Sequence, residues 1–140
     1  EISPEDFSRY KNEIKDEVIR KRAEHVIAED DRVLKSMEAL EKDDIGRFGK
    51  YMIDSHHSLR DLYEVTGPEL DALVEEALKV DGVIGSRMTG AGFGGCTVSL
   101  VREEAVDRFI EAVGTGYTKR TGLTPSFYVS EVGDGGRELM

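Results

Sequence analysis

Apolar positions recur at helical spacing through the first third of the chain: Phe7, Tyr10, Ile14, Val18, Ala23, Val26, Ile27, Leu34, Met37 and Leu40. Ser3 is placed to cap this helix, with Pro4 at its first position and Asp6 three residues after the cap. No Gly or Pro interrupts Glu5–Ile45. One straight helix of that length would run roughly 60 Å at about 1.5 Å per residue. That is long for a small domain, so a break near Arg20–Arg22, or two helices meeting at an angle, is expected. Asp43 or Asp44 caps a next helix carrying Ile45, Phe48, Met52 and Leu59 and ending near Arg60. Thr66 with Glu69 reads as a capping box for a third, striped by Leu70, Leu73, Val74, Ala77 and Leu78 and stopping at Asp81-Gly82. Val83–Met88 and Cys96–Arg102 read as strands around a Gly-rich connection. Glu103–Lys119 returns to helix, and Ser126–Val132 reads as a third strand. The order α-α-α-β-β-α-β predicts an α+β fold, with helices packed on one face of a small antiparallel sheet.

With 140 residues the chain has the length of one domain. Its 19 Lys+Arg against 29 Asp+Glu give a net charge of −10. Phosphate backbones and anionic lipid surfaces recruit the opposite sign, so neither a nucleic acid nor a membrane is expected as a partner. A single cysteine excludes an internal disulfide framework and suits a reducing compartment, which points to the cytoplasm.

Gly90-Ala91-Gly92-Phe93-Gly94-Gly95 is the densest chemical signal. It satisfies G-x-G-x-x-G, but the dinucleotide fingerprint needs a helix after the loop, whose N-terminus receives the pyrophosphate, and here a strand follows. No Gly-Lys-Ser/Thr closes it as a Walker loop. A plain hairpin turn needs one or two glycines. Four in six residues suggest a loop whose backbone approaches a ligand or another loop closely. Arg87 and Thr89 stand just before it.

These residues carry a resemblance. Gly85-Ser86-Arg87-Met88-Thr89-Gly90-Ala91-Gly92-Phe93-Gly94-Gly95-Cys96-Thr97-Val98 resembles the third conserved motif of the galactokinases, in the GHMP kinase superfamily. Arg22-Ala23-Glu24-His25-Val26 with Arg32-Val33, Ser55-His56-His57-Ser58-Leu59-Arg60-Asp61, Tyr63-Glu64-Val65 with Pro68-Glu69-Leu70-Asp71, and Phe127-Tyr128-Val129 with Gly133-Asp134-Gly135 are similar to other family segments, in the right order. The family usually has Gly where Ala91 stands. The resemblance covers about residues 20–136 and implies the ferredoxin-like C-terminal domain of a GHMP kinase. It also implies transfer of the ATP γ-phosphoryl group to the anomeric hydroxyl of galactose, with Mg²⁺. The family's sugar-binding signature, its phosphate loop and its catalytic Asp have no counterpart in these residues. Residues 1–140 are therefore expected to be the C-terminal domain only, inactive alone, with no catalytic residue, with ATP and Mg²⁺ bound mainly by an N-terminal domain that is its partner. What the resemblance gives this chain is a supporting role toward the phosphate loop for Thr89, Gly90, Ala91, Gly92, Phe93, Gly94 and Gly95. The alternative is a non-catalytic sugar-sensing or ligand-binding module of the same origin.

Arg87 is a candidate near the phosphates or as partner of a carboxylate in the sheet. Ser55 and His56 are possible contributors near an inter-domain cleft. Neighbouring His56 and His57 point about 100° apart on a helix, so they do not share a metal, and one is expected packed and the other solvated. His25 is expected to be structural, Tyr51 and Tyr63 to edge the core, and Cys96 to be a small buried residue.

Overall fold

The structure, a computed structural model, describes residues 2–133. The sequence motif Asp134-Gly135-Gly136 lies outside the described residues. Among the described residues five helices accompany one antiparallel hairpin, with α3 and α4 packed against its strands, so the α+β expectation holds. Helix α1, Pro4–Tyr10, begins on Ser3, whose hydroxyl accepts from the Asp6 amide. The break expected near Arg20–Arg22 falls earlier. A short 3₁₀ turn, Lys11–Glu13, leads to extended Ile14, and Asp16 then caps the 25-residue helix α2, Glu17–Glu41, by accepting from the Ile19 amide. A good cap decides the boundary where the apolar stripe does not.

Asp44 caps α3, Ile45–Ser58, through the Arg47 amide. The helix runs out through one π-turn, Leu59–Tyr63, which ends at Glu64 in the left-handed conformation. Helix α4, Pro68–Leu78, starts on Pro68 behind Gly67, not on a Thr66–Glu69 capping box: Thr66 is buried and Gly67 occupies the cap position at φ +86°. Strands β1, Val83–Thr89, and β2, Cys96–Val101, pair antiparallel, with Thr89 opposite Cys96. A 3₁₀ turn, Glu103–Ala105, then opens α5, Val106–Thr121, closed by Gly122 at φ +74°.

Helix α3 lies against β1 so closely that Gly49 and Gly85 meet backbone to backbone. A Cβ on Gly49 would stand 2.0 Å from the Ile84 carbonyl oxygen. Helix α4 covers both strands, α5 packs on α4, and α2 packs on α3. Leu59, Val65, Leu70 and Met88 form one buried cluster. Ala77, Val80 and Val113 form another, flanked by Leu73, Val83, Phe109 and Phe127.

Residues 126–132 form no strand, contrary to their composition. Phe127 instead packs edge-to-face on Phe109 of α5, with ring centres 6.1 Å apart. A cavity of about 230 Å³ lies between β2 and Phe127–Ser130. Pairing needs backbones about 4.8 Å apart, and strand-forming side chains cannot supply it across such a gap.

Candidate functional site

The hairpin's period of two sends adjacent side chains to opposite faces, and this builds the site. Met88 turns into the buried cluster beneath the loop, whereas Arg87 turns into a groove bounded by α2 and α3. Thr89 ends β1 opposite Cys96, and Gly90–Gly95 crosses between them. Gly90, Gly92, Gly94 and Gly95 all have φ between +81° and +107°, and Phe93 adopts +57°. The loop is thus a run of left-handed backbone that only glycine adopts without strain, which is why the segment is so rich in it.

The glycines do not act alike. A Cβ on Gly90, Gly94 or Gly95 would meet nothing within 4 Å, but one on Gly92 would stand 2.0 Å from the Val65 carbonyl oxygen. That same oxygen accepts from the Phe93 amide at 2.7 Å. The tip of the loop is therefore seated on Val65, a core residue of the segment joining the π-turn to α4. The Phe93 ring points outward, 79% exposed. Sequence reasoning overlooked Val65, because a carbonyl acceptor leaves no side-chain signature.

Val65 is itself held from α2. Arg22 donates to the Leu62 carbonyl, pairs with Glu64 at 2.8 Å and lies over the Tyr63 ring. Tyr63 stacks on His25, whose Nδ1 lies 2.8 Å from the Ser58 hydroxyl. His25 is structural, as expected. Burial holds its pKa below the ordinary histidine value, with Arg32, Arg22 and Arg87 adding to that effect.

His56 and His57 separate as the helix geometry requires, one buried and the other exposed. His56 is 2% exposed, with Nδ1 accepting from the Met88 amide at 3.1 Å and Nε2 3.0 Å from Asp71 Oδ1. The bare Nδ1 leaves the proton on Nε2, donated to Asp71. Burial lowers the His56 pKa, while Asp71 opposes the shift. With both ring nitrogens engaged and the ring enclosed, this His–Asp pair is closed to proton transfer with a substrate. Asp71 too is a residue that sequence reasoning passed over.

Ser55 points the other way, donating to Glu29 Oε2 at 2.8 Å, and Glu29 also pairs with Arg32. Ser55 and Arg87 therefore line the α2 groove together, while His56 lies under the loop. The groove holds about 460 Å³, and Val33, Met37, Leu40, Phe48 and Val98 give it apolar walls. Arg87 donates from Nε to the Met88 carbonyl and pairs with no carboxylate among the described residues; burial lowers its pKa. Cys96, expected to be buried, is exposed at the start of β2. Among the described residues no three His, Cys, Asp or Glu side chains are grouped to hold a metal, and no helix is long and apolar enough to cross a membrane.

Comparisons with known proteins agree with this geometry. Residues 36–119 match the family model described as GHMP kinases C terminal. The chain is 53% identical to a galactokinase of Clostridium beijerinckii over 139 residues, covering 99% of this chain and 36% of that protein. It is 50% identical to a Bacillus subtilis galactokinase, with the same coverage. It thus spans about a third of the length of the relatives it matches. Its structure superposes on Lactococcus lactis galactokinase complexed with galactose with a TM-score of 0.92 at 45% identity, over 96% of this chain and 34% of that one. A mevalonate kinase of L. major in complex with R-mevalonate shares the fold, with a TM-score of 0.60 at 22% identity over 84% of this chain and 34% of that one. The family match spans more than half of the chain, and the hairpin and helices it describes are those that position the Gly-rich loop: the chain belongs to the GHMP kinase C-terminal family.

Proposed function

We propose that these residues are the C-terminal part of a cytoplasmic galactokinase, which transfers the ATP γ-phosphoryl group to the anomeric hydroxyl of galactose. The observation that carries this is the 53% identity to a galactokinase over 99% of the chain. In this reading Thr89–Gly95 is a buttress for a phosphate loop borne by the rest of the protein. The loop offers backbone fixed at Met88 and Val65, with the Thr89 hydroxyl as its one polar side chain and no carboxylate, imidazole or amine, which suits support and not proton transfer. ATP-bound Mg²⁺ would supply charge neutralisation during transfer, held in this reading mainly by the N-terminal portion of the longer protein. Arg87, facing the groove with no carboxylate partner among the described residues, is placed to meet an anionic group there. The apolar groove between α2, α3 and the hairpin is the face assigned to the remainder of the longer protein, which in the relatives is about two-thirds of the length.

The test is a coupled assay of galactose-dependent ATP consumption, run on the full-length protein and on residues 1–140 alone. Turnover by the first and none by the second is expected. A full-length protein that binds galactose without consuming ATP would overturn the kinase reading in favour of a sugar sensor.

A further inference from the structure

His56 does work that neither a core side chain nor a catalytic base would do. Among the described residues the sheet has two strands, and no further strand lies along the outer edge of β1. Amides on such an edge, once buried, need acceptors from elsewhere. Met88 is 2% exposed, and its amide finds its acceptor in His56 Nδ1. The residue after Met88 is the last of β1, and the loop begins immediately beyond it. Because Nδ1 accepts, Nε2 carries the proton, and Asp71 on α4 holds the ring from that side. One imidazole thus ties α3, α4 and the end of β1 together at the point where the loop departs. The tip is held separately, by the Phe93 amide on the Val65 carbonyl.

We propose that His56, oriented by Asp71, is a positioning residue for phosphoryl transfer, setting through the Met88 amide where the Thr89–Gly95 loop leaves the sheet. This rests on the reading of that loop as a buttress of the active site. The geometry makes a distinction that can be tested. Only the Nδ1 acceptor matters to the loop, and an asparagine carries an oxygen on Cγ close to where Nδ1 stands. His56→Asn retains an acceptor for Met88, and His56→Leu fills similar space without one.

The experiment uses the full-length protein, with kcat and KM for galactose and ATP measured well below each variant's melting temperature. His56→Leu is expected to lower kcat on the order of 10-fold or more, as misplaced groups near the chemistry do, with galactose KM little changed. His56→Asn is expected to regain most of that loss. Equal losses in both variants, or a normal kcat with a lowered melting temperature in His56→Leu, overturn the proposal. Should His56→Leu not fold, ¹⁵N spectra of the histidine ring in the unmodified full-length protein decide: a bare Nδ1 and a protonated Nε2 support the clamp, and the opposite tautomer overturns it. If the unmodified protein shows no galactose-dependent ATP consumption, the kinase reading fails and the positioning role falls with it, while the same spectra report whether the clamp on Met88 exists.

Discussion

Arg87 and Met88 are neighbours in sequence, yet they face two unlike regions. On the Met88 side the hairpin is closed. Leu59, Val65 and Leu70 pack against it, His56 accepts the strand-edge amide, and the Val65 carbonyl seats the loop tip. On the Arg87 side it is open. Val33, Met37, Leu40 and Val98 remain exposed around the groove, and among the described residues the arginine binds a backbone carbonyl and no carboxylate. The contrast separates what this domain settles within itself, which is the position of the loop, from what a larger assembly would complete, which is the groove.

The sharpest way to break that contrast lies within the loop. Gly92→Ala places a Cβ 2.0 Å from the Val65 oxygen at φ +82°, so the loop must lift off its seat. In the full-length protein kcat is expected to fall on the order of 100-fold. Gly90→Ala has nearly the same φ, +81°, and open space around it. It carries only backbone strain, roughly 1–2 kcal/mol, and a few-fold change in rate. Equal losses in the two variants would mean that the Val65 contact does not set the loop's position.

The next effect is on stability. Gly49→Ala drives a methyl group into the Ile84 carbonyl, backbone against backbone, where neither side has a flexible end to yield. A loss of about 1–3 kcal/mol, read from denaturant midpoints, is expected. Gly46, on the same helix, has only the Asp44 carboxylate oxygen at 3.8 Å, and Gly46→Ala is expected to raise the midpoint slightly through helix propensity.

These glycines show where the sequence is legible and where it is not. Helices α3 and α5, both strands and the existence of α2 and α4 follow from apolar period, caps and glycine punctuation, whereas the starts of α2 at Asp16 and of α4 at Gly67 do not; the loop's positive-φ backbone follows from its glycines, Phe93 excepted. That a Cβ on Gly92 would strike Val65 while one on Gly90 or Gly94 would meet open space depends on residues 25 or more positions away, and composition treats all three alike. The same holds for the Met88 amide. A hydrogen bond from backbone to His56 is fixed by how α3 crosses β1, which no local pattern encodes. Ser126–Val132 errs the other way: a strong strand composition forms no ladder, and a cavity separates the segment from β2. Thr66 also misleads, since Pro68 behind Gly67 starts α4 without a side-chain cap.

On the open side, Met37→Lys puts a charge on an exposed wall of the groove. Residues 1–140 alone are expected to melt within about 0.5 kcal/mol of the unchanged sequence, as surface substitutions usually do. The full-length protein is expected to lose stability, because its remaining portion would meet the ammonium group. An unchanged full-length melting midpoint would remove the groove as an interdomain face.

The smallest effect separates the closed side by pH. His25 and His56 are both held below the ordinary value of 6.5, chiefly by burial. Around His56, Asp71 of α4 opposes the shift, while His57 of α3 and Arg60 of the π-turn reinforce it. Around His25, Arg22, Arg32 and Arg87 reinforce it. The unfolded chain takes up these two protons as pH falls through about 6.5, and the folded chain does not until lower pH, so the unfolded state binds more protons in that window. Stability is therefore full above about pH 6.5 and declines below it, each histidine contributing at most about 1.4 kcal/mol per pH unit. Carboxylates in ion pairs, such as Glu64 and Glu76, whose pKa values are lowered by Arg22 and by Lys79 with Arg120, add their own loss as pH falls through the usual carboxylate range and on below it. Thermal melting between pH 7.5 and 5.5 is expected to show a falling midpoint, shallower in His56→Asn, which removes one of the two titrating groups. A midpoint flat across that range in the unchanged protein would mean that neither ring is kept neutral by the fold, and the closed face would lose its polar clamp.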